Sequence, residues 1–238
     1  MKLLHFVTYG LLAALTLVVF GLIVLDRTDI VARNWNPLAT LDVNADVTPI
    51  TQIQMHRALA QKDTCVAAMA NAGVDVKSLP DFVDPQDKRC GISDRVELHD
   101  LGAVKFKPLE LNCAAALRLV MWSAHEARPV AREILGSDIA RVEHFGSYNC
   151  REMRTTNGST GKMSKHATAR AVDVAGFVLN DGRNISLKGD WKNGDRGRFL
   201  RRVHDRGCEW FGVVLGPDYN ALHADHFHMD TGTWPVCK

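Results

Sequence analysis

The chain has 238 residues, 46% of them hydrophobic and 24% charged, with a formal net charge of +2. That is the balance of a globular protein with room for one ordinary domain plus extras. A charge this small, with no long basic run, gives nucleic-acid binding no electrostatic support, so none is expected.

Phe6 to Leu25 reads FVTYGLLAALTLVVFGLIVL and carries no charge. A helix of about 20 apolar residues is long enough to cross a bilayer. No Ala-x-Ala cleavage site follows Leu25, so residues 1–25 are read as an uncleaved single-pass anchor rather than a signal peptide. Lys2 on the short side places the N-terminus in the cytoplasm and the rest of the chain across an inner membrane, in the periplasm. The alternative is secretion after signal cleavage. Residues 26–50, with Pro37, Pro49 and scattered Asn and Asp, have no sustained period and are expected to be a linker.

From residue 51 to 238 the pattern is that of one domain. A helix is expected from Thr51, breaking near Asp63 and ending at Gly73. Residues 74–88 read as loop. Val96–Leu98 and Val104–Phe106 alternate as short strands. Leu109 to Ala127 is expected to be one helix, with Leu111, Ala115, Leu119 and Trp122 on one stripe. Pro129 opens a further helix that Gly136 closes. His125-Glu126 lacks the second His of H-E-x-x-H and is set aside. Strands are expected over 139–150, 172–179, 185–187, 213–215 and 226–229, with a tight turn at Asn180-Asp181-Gly182 and a short basic helix over 198–206. Helices first and short strands later predict an α+β fold: a small antiparallel sheet flanked by helices.

Six cysteines, at 65, 90, 113, 150, 208 and 237, form no C-x-x-C pair. An even, spread set points to disulfides and to an oxidising compartment. Cys208–Cys237 is expected because both flank the segment 223–228, and Cys65–Cys90 and Cys113–Cys150 are expected beside it.

The chemistry lies in Ser164-Lys-His166-Ala-Thr-Ala-Arg-Ala171-Val-Asp173 and in His223-Ala-Asp225-His226-Phe-His228. Two His and one Asp suit Zn²⁺ with a fourth position left open. Such a metal lowers the pKa of bound water towards ~7 and polarises a carbonyl. Period-2 geometry puts His226 and His228 on one strand face.

Ser164-x-His166-x-x-Ala169-x-Ala171-x-Asp173 resembles the S-x-H-x-x-G-x-A-x-D signature of the D-Ala-D-Ala carboxypeptidase family of zinc peptidases, with Ala169 where Gly is usual. The His-x-His resembles the second half of that superfamily, which includes murein endopeptidases and hedgehog domains. The resemblance implies His166, Asp173 and His228 as zinc ligands. Carboxypeptidase members carry a Glu three residues before the last ligand, where this chain has Asp225; murein endopeptidase members use histidines arranged like His223, His226 and His228. The catalytic base is therefore expected among His226, His223 and Asp225, with His226 favoured. Arg151 resembles the substrate-binding Arg of the carboxypeptidases, and Tyr148 is a core residue or an oxyanion donor.

Over a longer stretch, Asn36-Pro37, Cys65, Cys90-Gly-Ile, Gly146-Ser-Tyr-Asn-Cys-Arg151, Leu215-Gly-Pro-Asp-Tyr-Asn, His223 to Asp230 and Cys237 resemble the bacterial extensin-like C-terminal domain family. The implied function is a membrane-anchored, zinc-dependent peptidase acting on peptidoglycan peptides. A non-catalytic wall-binding or envelope-scaffolding domain that keeps the metal-site fold is the alternative.

Overall fold

A computed structural model of the chain describes residues 2–28, 31–156 and 158–238. Helix α1 (Lys2–Thr28) comes first. Within it, side chains are described without a break only over 7–21, and among the described residues no helix is long and apolar enough to cross a membrane. The described apolar side chains of α1, Leu12, Leu15, Leu17 and Phe20 among them, stand exposed.

Residues 33–50 hold only one 3-10 turn, Arg33–Trp35, as the Pro and Asn content implies. The stretch is nonetheless packed down. Leu41 and Val43 belong to the main core, and the buried Gln54 side chain donates to the carbonyls of Arg33 and Asn36.

Helices α2 (Thr51–Ala58) and α3 (Lys62–Asn71) follow, ending at Gly73 with φ 81°. Then come β1 (Val76–Ser78), β2 (Phe82–Val83), β3 (Gly91–Ile92), β4 (Arg95–Asp100) and β5 (Lys105–Asn112). The expected helix from Leu109 does not start there. Leu109 and Leu111 pair with Leu98 and Val96 of β4, and the Arg95 guanidinium grips Glu110. Period-2 burial wins over the helical stripe until Asn112, whose side chain caps the Ala114 amide. Helix α4 (Cys113–Trp122) then passes through a π-helical turn, Ser123–Ala127, into α5 (Arg128–Leu135), closed by Gly136 in the left-handed region. His125 and Glu126 serve that turn: His125 bonds the Val43 carbonyl and stacks on Trp210.

The C-terminal half supplies β6 (Ile139–Gly146), the hairpin β7 (Glu152–Thr155) and β8 (Gly158–Met163), β9 (Ala171–Leu179), β10 (Asn184–Ser186), α6 (Leu187–Asp190), α7 (Gly194–Gly207), β11 (Val213–Leu215), β12 (Phe227–Asp230) and β13 (Val236–Cys237). The fold is α+β, but the sheet is neither small nor wholly antiparallel. Nine strands join in the order β1-β4-β5-β6-β9-β12-β11-β13, with β10 also on β9. The pairs β5–β6 and β11–β13 are parallel, because each joins strands separated by helical crossovers or long loops.

One irregularity positions the site. In β9, Gly176 and Val174 pair with consecutive residues of β6, which leaves Ala175 as a bulge. Val172 and Val174 before it, and Phe177 and Leu179 after it, are all buried in the core. Phe177 packs on Trp122 of α4 and Phe199 of α7. Asp173 alternates with Val172 and Val174, so it is left on the face away from those helices.

The cysteines form Cys65–Cys113, Cys90–Cys150 and Cys208–Cys237. The last is the expected pair; the other two correct the expected Cys65–Cys90 and Cys113–Cys150. The β4–β5 hairpin carries Cys113 back beside Asp94, whose carbonyl takes the Cys113 amide, and α3 packs across that end of α4. Sequence neighbours are thereby bypassed. Each bridge closes a loop of a size that contributes about 2–4 kcal/mol. Replacing Cys90 and Cys150 together by Ala should lower Tm by roughly 5–15 °C, read by calorimetry. It should also weaken metal binding, because Cys150 anchors the loop that carries Ser147.

Candidate metal centre

Asp173 on β9 and His228 on β12 are direct cross-strand partners, so their side chains rise side by side from one face. His166 arrives from a different direction. Ser164 caps the 3-10 turn Lys165–Thr168 by accepting from the His166 amide. The turn ends at Ala169, a non-glycine residue with φ 48°. A left-handed residue is what the position demands, which accounts for Gly being usual there in the resembled motif. The reversal drops His166, only 2% exposed, onto the strand pair.

His166 Nε2, Asp173 Oδ1 and His228 Nδ1 lie 3.1–3.2 Å from one another. The other nitrogen of each ring is already committed. His166 Nδ1 donates to the Ser147 carbonyl at 2.6 Å, and His228 Nε2 donates to Asp230 Oδ2 at 3.1 Å. The converging atoms are then lone pairs, two nitrogens and a carboxylate oxygen, gathered where nothing but a cation relieves their repulsion. Ligand atoms at the usual distances from a tetrahedral Zn²⁺ stand about 3.3 Å apart, close to the spacing seen. Donor types and spacing thus fit a divalent metal, and the three residues are those expected from the sequence. Ser147 and Asp230 complete the arrangement by fixing each ring's tautomer and orientation. Asp230 was legible as the residue two after His228 on the same face; a backbone carbonyl such as that of Ser147 leaves no trace in sequence.

Without a metal, a proton takes its place. Burial works against charging His228, but the carboxylates of Asp173 and Asp230 outweigh it and push its pKa up to about 9. Burial likewise opposes ionising Asp173, yet the bonds from His166 and His228 hold its carboxyl well below the usual range. A raised imidazole pKa stabilises the metal-free fold fully below the unfolded value near 6.5, and that contribution is lost as pH rises through about 9. Metal must displace the same proton, so its affinity falls as pH drops below about 9. The gap in Tm between zinc-loaded and metal-free protein should therefore widen from pH 6.5 to pH 9, as calorimetry of both forms can show. A constant gap would mean that His228 does not exchange a proton for the metal.

His226 Nδ1 bonds Asp225 Oδ1 at 2.9 Å, which turns Nε2 inward, 3.7 Å from Asp173 Oδ1. His226 lies in the bend just before β12 rather than in the expected strand from 226, yet it and His228 face the same carboxylate. His223 closes the 3-10 turn Ala221–His223, held by Asn220 Oδ1 at 2.8 Å. Its ring lies 5.3 Å from His226 and 5.9 Å from His228. Burial, then the charges of His228 and His226, push its pKa down to about 4. Phe145, 63% exposed, meets His226 edge-on, and Tyr219 meets His223; neither aromatic was singled out in the sequence.

Tyr148 does not face the centre as an available donor. Its hydroxyl is given to Asp84 Oδ2 at 2.7 Å and its ring packs on Phe82. Burial and the Asp84 carboxylate push its pKa up to about 12. Arg151 is half-buried; its guanidinium bonds only the Glu152 carbonyl and forms no ion pair among the described residues.

No curated protein matches the chain, and no solved structure does. Residues 63–238, nearly three quarters of the chain and all of the metal centre, match the family model of the extensin-like protein C-terminus. The chain belongs to the extensin-like protein C-terminus family.

Proposed function

We propose that the protein is a zinc-dependent peptidase that hydrolyses an amide bond in peptidoglycan peptides. The observation that carries this reading is the convergence of three lone pairs from His166, Asp173 and His228, with a fourth side chain, His226, aimed at the same place but bonded to Asp225 instead. Bound there, Zn²⁺ supplies Lewis acidity to water and to the substrate carbonyl. The chain's own residues do the rest. His226 Nε2 takes the proton from the attacking water and returns it to the leaving amine, while Asp225 keeps the Nδ1 proton in place. His223, neutral at physiological pH, packs beside it and excludes bulk water. Arg151, with no carboxylate of its own, receives a substrate carboxylate. Tyr148 supports the loop through Asp84.

Export fits the three disulfides. The exposed apolar side chains of α1 fit an anchor through residues 6–25, with the domain on the periplasmic face of the bacterial inner membrane. The test is incubation of the zinc-loaded full chain with purified muropeptides. Fragments whose masses sum to the substrate plus one water are expected. Retention of wall fragments with no cleavage would instead make it a binding or scaffolding domain.

A further inference from the structure

Strand β6 carries an extra residue where it passes the metal centre. His144 pairs with Val174 and Gly146 with Asp173, so Phe145 between them has no partner on β9. A bulge of this kind bends the strand and re-aims a side chain. Gly146 permits it. At φ 126° it adopts a backbone that L side chains rarely take, although nothing within 4 Å would crowd a Cβ there. Phe145 is turned out of the sheet, 63% exposed, with its ring edge-on to His226 at 5.8 Å.

The ring contacts continue from there. His226 meets His223 and His223 meets Tyr219, so four rings form one row with the two histidines in the middle. Both ends of the row, Phe145 and Tyr219, are exposed, and so is Leu222 beside His223. Exposed rings alone are ordinary in this chain, as Trp35 and Trp234 show. What distinguishes Phe145 and Tyr219 is their contact with the histidines that stand over the ligand carboxylate. The loop that bears Tyr219 also turns its polar side chains back to the fold. Asp218 accepts from the Trp191 indole, and Asn220 Oδ1 accepts from the Leu222 amide and bonds His223.

We propose that this row is a subsite for an apolar side chain of the substrate peptide. The side chain packs on Phe145 next to the amide that His226 faces, and Tyr219 and Leu222 continue the apolar wall. Small-molecule sites characteristically join aromatic and apolar walls to a few placed polar groups, and the metal centre supplies the polar part here. A sugar ring would need hydroxyl partners, and the loop has turned those inward, so the occupant is an aliphatic side chain. The inference rests on the peptidase reading for the position of the scissile amide, but not for binding itself.

The test uses the zinc-loaded full chain in a neutral detergent and two fluorescent tripeptides. They differ only at the central residue, leucine or its polar isostere asparagine, and each is made in L and D form. Anisotropy should show the leucine peptide bound about tenfold more tightly in one of the two forms, with little effect of added salt. Phe145→Ser should weaken that leucine peptide about tenfold and the asparagine peptide less than about twofold. Phe145→Leu, which keeps an apolar surface, should stay within about threefold of wild type. The zinc content of each variant checks its folding. Trp35→Ser, which removes a comparably exposed ring from the 33–50 stretch, should change neither peptide. Equal binding of the two peptides or none, equal losses for both in Phe145→Ser, or a loss in Trp35→Ser as large as in Phe145→Ser overturns the subsite. Leucine-selective binding without cleavage of either peptide or of muropeptides would uphold it while ending the peptidase reading. Cleavage of muropeptides at a rate that Phe145→Ser leaves unchanged, with no preference for leucine, would do the reverse.

Discussion

His166→Ala and His228→Ala should each purify essentially free of zinc, against close to one zinc per wild-type chain, measured by atomic emission. Each replacement removes one of the three donor atoms that converge within 4.8 Å and leaves the other two pointing at a gap. Partners outside the coordination sphere alone are typically worth about 10–100-fold in metal affinity, so loss of a ligand should exceed about a hundredfold. Asp230→Asn supplies the graded control. The amide still fills the space beside His228 Nε2 but no longer carries the charge that fixes the ring. Competition against a chelating dye should show it weakened about tenfold. Full zinc occupancy in both His variants would end the ligand assignment, and an Asp230→Asn loss as deep as His228→Ala would make Asp230 a ligand itself.

The clustering of His166, Asp173 and His228 was legible because two of them lie on strands whose periods are easy to read and the third on a turn at a fixed spacing before one of them. His228 faces Asp173 through a simple antiparallel register, and His166 precedes a left-handed residue at a fixed spacing. What escaped the sequence is what alternation and spacing cannot encode. The bulge at Ala175 reverses the faces of β9, and Gly176 beside it was a signal that alternation alone does not read. Leu109–Asn112 satisfies a helical stripe and a strand alternation equally, and only the partner strand β4 decides between them. The disulfide pairs depended on which elements pack, α3 on α4, rather than on which cysteines are near in sequence. The linker at 33–50 had the composition of a loop and is one, yet Leu41 and Val43 are buried in the core, a tertiary fact that composition does not carry. Tyr148, plausible as an oxyanion donor from its position, spends its proton on Asp84, a residue 64 positions away.

Those same geometric facts set the expected behaviour of His226 and Asp225. His226→Ala should retain zinc and the wild-type Tm within a few degrees, because the neighbours of its ring, Asp225, Phe145 and His223, are half-buried or exposed and Asp173 Oδ1 stands off at 3.7 Å. Turnover should fall by roughly 10²–10⁴, the usual scale of general acid–base assistance. Asp225→Asn should cost less. Its side chain bonds His226 Nδ1 from a half-exposed position, so its part is to hold the ring and its tautomer, and an amide oxygen can still accept that proton. A shortened carboxylate acting as the base in place of the Glu of the carboxypeptidases requires the opposite order, with Asp225→Asn at least as damaging as His226→Ala. His223→Gln tests the remaining candidate: a ring held near pKa 4 is a weak base at neutral pH, so its loss should act on KM more than on kcat. Zinc lost from His226→Ala would show that Nε2 closes onto the metal and completes its coordination, leaving His223 as the only imidazole free to carry the proton.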